Sequence, residues 1–151
     1  MGRVVGLFVS NGGVPKLPVE SIEITFDGIK GDKQNDLKHH GGRMRAVCLI
    51  SNELIMKLQN EGHPILPGST GENIIIENVK LVSGSRIKIG SAILEITGAA
   101  KPCSKISKSF TNGDFSRIDE KIYPNDTRWY CKVLQEGNVS SLENTANLII
   151  S

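Results

Sequence analysis

Of the side chains in this chain able to do covalent or metal chemistry, Cys103 has the most informative surroundings. It stands in Lys101-Pro102-Cys103-Ser104-Lys105, directly after the strand-like run Ala92-Ile93-Leu94-Glu95-Ile96-Thr97. A thiol acts as nucleophile, sulfur carrier or metal ligand in its thiolate form, and flanking lysines favour that form. Pro102 suits the first position of a helix, where its missing N–H is not needed. A short helix through Ser104-Lys105-Ile106-Ser107 would place Cys103 in its first turn, at the positive end of the dipole. The other two cysteines, Cys48 in Ala46-Val47-Cys48-Leu49-Ile50 and Cys131 in Trp129-Tyr130-Cys131-Lys132-Val133, read as strand interiors. There a free cysteine is usually a small buried hydrophobe.

Three further constellations carry polar chemistry. The first runs from Gly31 to Arg45 and contains His39, His40, Gly41, Gly42, Arg43 and Arg45. Its glycines permit close backbone approach or positive φ. Its arginines can grip phosphate or carboxylate through paired hydrogen bonds. The alternative is a polar surface loop. Adjacent histidines on a strand point to opposite faces, so one metal held by both is disfavoured. Zinc held by one histidine with Cys103 has no supporting spacing. His63, before Pro64, reads as a surface turn. The second is Pro67-Gly68-Ser69-Thr70-Gly71-Glu72-Asn73. It can turn backbone N–H groups toward an anion, but lacks the Gly-Lys-Ser/Thr of a nucleotide phosphate loop. Taken alone, it reads as a turn opening a strand. The third is Arg128-Trp129-Tyr130, a pocket wall for a flat heterocycle or simply core.

The elements that must hold these groups are mostly short strands, expected over 3–10, 19–26, 45–51, 73–77, 86–89, 91–97, 129–136 and 146–150. Several alternate, with Ile22, Ile24 and Phe26 on one face. One helix is expected over 52–61, capped at Ser51 or Asn52 and stopped at Gly62, with Leu54, Ile55 and Leu58 as its apolar stripe. Helical pieces are also expected after Cys103 and around 115–121, and a tight turn over 88–92. The pattern is that of an all-β barrel or sandwich, not a βαβ sheet. The 151 residues read as a single domain over 1–151.

Composition narrows the function classes. Aromatic residues are only 5%, which disfavours base-stacking nucleic-acid modules. A net charge of +2 implies no polyanionic partner. No run approaches membrane-span length, and the apolar N-terminus lacks a signal peptide's cleavage region. An odd cysteine count without any C-x-x-C disfavours a disulfide framework and a structural zinc site, so a reducing cytoplasm is expected.

Taken together, these pieces resemble the MOSC domain, named for the C-terminal domain of molybdenum cofactor sulfurase. The resemblance rests on Gly31-Asp32, His39-His40-Gly41-Gly42, Arg45-Ala46-Val47, Pro67-Gly68 with Gly71-Glu72-Asn73, Gly90, Glu95-Ile96-Thr97, Pro102-Cys103 and Trp129-Tyr130. It implies a closed or nearly closed β-barrel, similar to that of pyruvate kinase, with a few short helices. It implies that Cys103 carries a persulfide or coordinates the molybdenum of a bound pterin. His39, His40, Gly41, Gly42, Arg43, Arg45, Gly71, Glu72, Asn73, Lys101 and Arg128 would cradle that cofactor.

Three functions follow from the resemblance. One is molybdenum-dependent reduction of N-hydroxylated compounds, with electrons from an external flavoprotein or iron–sulfur donor. The second is sulfur carriage by a Cys103 persulfide, supplied by a cysteine desulfurase. The third is cofactor storage. The chain departs from the full sulfurase in lacking a desulfurase domain, so no pyridoxal phosphate is expected. Ser141-Leu142-Glu143 stands where relatives often show a glycine-aspartate turn.

Overall fold

Alternation of apolar and polar residues builds most of the strands. Ile87 and Ile89 are fully buried between the outward Arg86 and Lys88, and Ile22 and Ile24 are buried beside the exposed Glu23. The computed structural model of the chain describes residues 2–33, 42–141 and 146–149, the last three by backbone pairing alone. The strands are β1 (Arg3–Val9), β2 (Leu17–Val19), β3 (Ser21–Thr25), β4 (Gly28–Ile29), β5 (Val47–Ser51), β6 (Ile74–Glu77), β7 (Arg86–Ile89), β8 (Ala92–Ala100), β9 (Arg128–Gln135), β10 (Gly137–Ser140) and β11 (Ala146–Ile149). Among the described residues, the α-helix α1 (Asn52–Asn60) follows β5. Three 3-10 pieces, Ser104–Ser109, Thr111–Gly113 and Phe115–Ile118, occupy the stretch between β8 and β9.

An eight-stranded sheet runs in the order β11-β7-β8-β9-β5-β6-β1-β2, and a three-stranded sheet in the order β10-β3-β4. The described pairing does not close the large sheet into a barrel. A single antiparallel bridge, Gly2 to Ala146, joins the segment before β1 to the start of β11. The fold is mainly β with few helices, as the strand pattern predicts.

One connection departs from the expectation that the chain forms no βαβ unit. β5 and β6 are parallel, with Leu49 opposite Ile74 and Ser51 opposite Ile76. Parallel neighbours need a crossover, and α1 with the 68–73 loop supplies it. Ser51 caps α1 by accepting a hydrogen bond from the Leu54 N–H at 3.1 Å. Leu54, Ile55 and Leu58 are buried, as the stripe predicts. They pack with Ile50, Ile75, Ile106 and Phe110 on the helix side of the sheet. The other side holds the main core, which includes Val47, Leu49, Ile74, Ile76 and Trp129. β5 and β6 are therefore covered on both faces.

Three expectations need correction. The 19–26 strand is two elements, and Phe26 leaves the face of Ile22 and Ile24. β3 ends at Thr25, whose hydroxyl donates to the Gly28 carbonyl across a tight turn, and Phe26 is half-exposed under the Arg43 guanidinium. Arg45 belongs to a 3-10 turn (Arg43–Arg45), not to β5. His63 is no plain surface residue. Its Nδ1 accepts the Thr111 N–H at 3.1 Å and its ring meets Phe110 edge-on at 5.5 Å, joining the exit of α1 to the 3-10 stretch. The hairpin turn at 142–145 lies outside the described residues.

Candidate functional site

β8 delivers the candidate thiol. The strand ends at Ala100, and Lys101-Pro102-Cys103 continue outward into the 3-10 piece Ser104–Ser109. Cys103 precedes that helix as its N-cap, with extended φ −142° and ψ 173°, so it does not lie in the first turn. Its carbonyl accepts the Ile106 N–H at 3.2 Å, and Ile106 anchors the segment in the apolar cluster beneath α1. A six-residue 3-10 helix aligns fewer peptide dipoles than the α-helix the proline suggests, so that electrostatic contribution is smaller. Cys103 is half-buried, whereas Cys48 and Cys131 are buried. Burial pushes the Cys48 thiol up to about 11 and the Cys131 thiol well above its usual value. Both behave as the strand-interior hydrophobes their surroundings predict.

Arg128 ties this segment to the 68–73 loop. It opens β9 directly across from Ala100 and is buried. Its Nη1 donates to the Thr70 carbonyl at 2.8 Å and its Nη2 to the Lys101 carbonyl at 3.3 Å. Its Nε is buried without a partner. The Thr70 hydroxyl donates to Glu72 Oε1, and the Gly68 N–H donates to Glu72 Oε2, both at 2.7 Å. The Ser109 hydroxyl donates to Ser69 Oγ at 2.8 Å, a second link between the same two segments.

Asn73 ties the loop to its other neighbours. Its Oδ1 accepts the Cys48 N–H at 3.0 Å, and its Nδ2 donates to the Phe8 carbonyl and to Asp32 Oδ2. Asp32 also accepts from the Ser10 N–H and from Lys16 Nζ, the latter at 2.6 Å, and both side chains of that ion pair are buried. Glu72, Asn73 and Arg128 thus each hold at least one backbone group of a neighbouring segment, which is a framing role, and Arg128 Nε alone of their polar atoms is left without a partner among the described residues. Lys16 and Thr70 escaped the sequence reading as site residues. The turn signals in Asn11-Gly12-Gly13-Val14-Pro15-Lys16 would have marked the loop carrying Lys16. That loop lies against the 68–73 loop: the Lys16 N–H donates to the Gly68 carbonyl at 2.9 Å.

Tyr130 gathers the remaining groups. It pairs with Cys48 on one side and Gly98 on the other. The Arg45 guanidinium lies over its ring at 5.5 Å. A bulge in β8 next to Gly98 lets the Thr97 hydroxyl donate to the Met44 and Tyr130 carbonyls, which fixes the Arg43–Arg45 turn on the sheet. Burial pushes the Tyr130 phenol up, and Cys48 adds to this. Arg128 and Arg45 oppose it, and Cys103 adds a smaller push. Cys103, Arg128 and Arg45 thus all lie close enough to Tyr130 to act on its charge, and Arg128 is bonded to the loop that carries Gly71, Glu72 and Asn73. Lys101 is exposed. Gly42 and Gly71 both have positive φ, 88° and 83°. Arg43 is directed elsewhere, onto Asp27 at 3.1 Å and the Phe26 ring at 5.8 Å. His39, His40 and Gly41 lie outside the described residues.

Among the described residues, no group of three or more His, Cys, Asp or Glu side chains is placed to hold a metal ion. Cys103 is the one half-buried soft donor. A single soft donor fits a metal arriving with most of its own ligands. The unpartnered Arg128 Nε and the positive-φ glycines suit a site that accepts a polar, anionic group.

A β-rich domain that presents a single thiol at the end of a strand, framed by a Gly-Glu-Asn loop and a buried arginine, defines a class. The MOSC domain family model matches residues 36–143, and the chain belongs to that family. Among curated proteins, it is 29% identical to the uncharacterized protein YflK of Bacillus subtilis (strain 168), over 85% of this chain and 59% of that one. It is 23% identical to protein YiiM of Escherichia coli (strain K12), over 85% and 60%. The chain thus spans about three fifths of the length of these relatives. The crystal structure of YiiM from Geobacillus stearothermophilus shares the fold, with TM-score 0.74 and 19% identity over 99% of this chain and 76% of that one. So does the YUAD protein of Bacillus subtilis, with TM-score 0.71 and 20% identity over 97% and 94%. Among the described residues, no helix is long and apolar enough to cross a membrane.

Proposed function

We propose that the chain binds a molybdenum–pterin cofactor through Cys103 and takes part in reducing N-hydroxylated compounds, with electrons from an external flavoprotein or iron–sulfur protein. The observation that carries this reading is the placement of Cys103. Of three thiols it alone is not buried, and with Arg128 and Arg45 it lies close enough to Tyr130 to act on its charge. Family membership supports the cofactor class. When bound, the cofactor supplies a metal able to take the oxygen of an N–OH group, the balance being two electrons and two protons in, amine and water out. The chain's own residues hold and orient. Cys103 offers the thiolate sulfur. Lys101 and Arg45 supply positive charge for the pterin's phosphate, and Gly42 and Gly71 let backbone approach it. Glu72, Asn73 and Arg128 keep those segments in place. His39, His40, Gly41 and Arg43 belong to the loop that would complete the cradle. On this reading residues 1–151 form one domain working in the cytoplasm, and the Gly2–Ala146 bridge is the seam of a nearly closed barrel.

A second reading is favoured by the absence, among the described residues, of any group of three or more His, Cys, Asp or Glu side chains that could hold a metal. A lone thiol suits a persulfide loaded by a cysteine desulfurase and passed on in cofactor assembly. One experiment separates the two. Wild type and Cys103→Ser are produced in a host that makes the cofactor, and bound molybdenum and pterin are measured. Metal lost in the variant alone supports ligation. No metal in either protein, with a mass gain of one sulfur on Cys103, supports carriage. Neither signal would falsify both readings.

A further inference from the structure

We infer that Arg128 and Thr70 are positioning residues that set where Cys103 stands relative to the 68–73 loop. The inference rests on reading Cys103 as the working thiol. A purely structural arginine is expected to be paired with a carboxylate or to have all its donors satisfied. Arg128 is only 5% exposed, yet among the described residues it makes no ion pair, and its Nε has no partner. Its two terminal nitrogens are spent on backbone carbonyls in two separate segments, Thr70 and Lys101. Lys101 lies two residues before Cys103. Thr70, fully buried, passes the constraint on, because its hydroxyl donates to Glu72 Oε1 while Glu72 Oε2 holds the Gly68 N–H. One continuous chain of bonds thus runs from the backbone beside the thiol to the base of the glycine loop. The planar fork of a guanidinium spans two carbonyls in fixed geometry, which a lysine ammonium does not. A buried cation with no carboxylate in direct contact costs stability. What it provides here is the relative placement of two loops.

The test needs no cofactor, so an empty protein leaves it intact. Alkylation of Cys103 by iodoacetamide is followed by peptide mass spectrometry. Rates are compared on their high-pH plateau, where the thiol's charge state no longer matters. In folded Arg128→Met, which loses the bonds to both Thr70 and Lys101, the Cys103 rate is expected to rise at least about tenfold, the factor for one charge-assisted hydrogen bond. Arg128→Lys should fall between that and wild type, a partial rescue. Thr70→Val should raise the rate and Thr70→Ser should restore it. Ile24→Val, in the main core at β3 and outside the cluster that anchors Ile106, should lower Tm and leave the Cys103 rate near that of wild type. The inference is overturned if folded Arg128→Met alkylates at the wild-type rate. It is equally overturned if Ile24→Val raises the rate as much. Should Arg128→Met not fold, Arg128→Lys decides alone: a lower Tm with an unchanged Cys103 rate refutes it. Wild type that loads molybdenum while Arg128→Met keeps the wild-type rate would sink this inference and spare the proposed function.

Discussion

Cys103 and Cys48 show how surroundings divide identical side chains. Cys48 is enclosed by buried charges of both signs: Arg128 and Lys16 lower its pKa while Glu72 and Asp32 raise it, and burial outweighs them all. Cys103 stands outside that enclosure, at the cap of a polar 3-10 turn. Cys48→Ala and Cys131→Ala are therefore expected to leave any bound cofactor in place, with only a loss of packing. Metal content measured on both variants checks this, and loss of metal in either would show that the wrong sulfur was chosen. The distinction between the cysteines was legible in the sequence because strand-interior runs flank two of them and lysines the third. The roles of Glu72, Asn73 and Arg128 were not legible. Their chemistry suits a ligand cradle equally well, and only the positions of the Gly68, Thr70, Cys48 and Lys101 backbone groups show that they are engaged at home.

At the level of elements, the 68–73 loop and α1 make the crossover that places β6 beside β5. Gly68 has φ +83°, and an added Cβ would lie 2.3 Å from the Lys16 carbonyl oxygen. Gly68→Ala must therefore displace the 10–16 loop as well as adopt a strained backbone, at a cost expected to exceed about 1 kcal/mol. Denaturant unfolding measures it. Ser51→Ala removes the α1 cap and is expected to cost about 1 kcal/mol without changing Cys103 alkylation. The helix, its cap and most strand centres were readable from local pattern. The parallel β5–β6 pairing was not, because pairing partners are set by long-range packing. The splitting of the 19–26 run escaped for a related reason: Phe26 is apolar like its neighbours, and its departure from the core depends on a turn and on Arg43.

For the whole molecule, charge is arranged in two ways. Inside are Lys16, Asp32, Glu72 and Arg128, all in the neighbourhood of Cys48. On the surface, carboxylates are paired with cations. Arg117, itself buried, holds the exposed Glu61 carboxyl below its usual 4.5 through a hydrogen bond, and Asn52 with Arg3, and Lys132 with Arg86, do the same for Glu77 and Glu95. A carboxyl depressed in the folded state contributes stability that is present above its unfolded value and is lost as pH falls through the folded one. Glu61→Gln should therefore lower Tm at neutral pH, with the gap to wild type closing as pH drops below the usual 4.5. Thermal unfolding across that range gives the answer, and a gap that widens in acid would contradict the sign. The buried charges surround Cys48, and the proposed ligation of molybdenum belongs to the half-buried Cys103 instead. The molybdenum-edge X-ray absorption spectrum of protein produced with the cofactor tests this most directly. One sulfur ligand should disappear from the metal in Cys103→Ser and remain in Cys48→Ala. An identical sulfur count in wild type and Cys103→Ser would contradict ligation by Cys103.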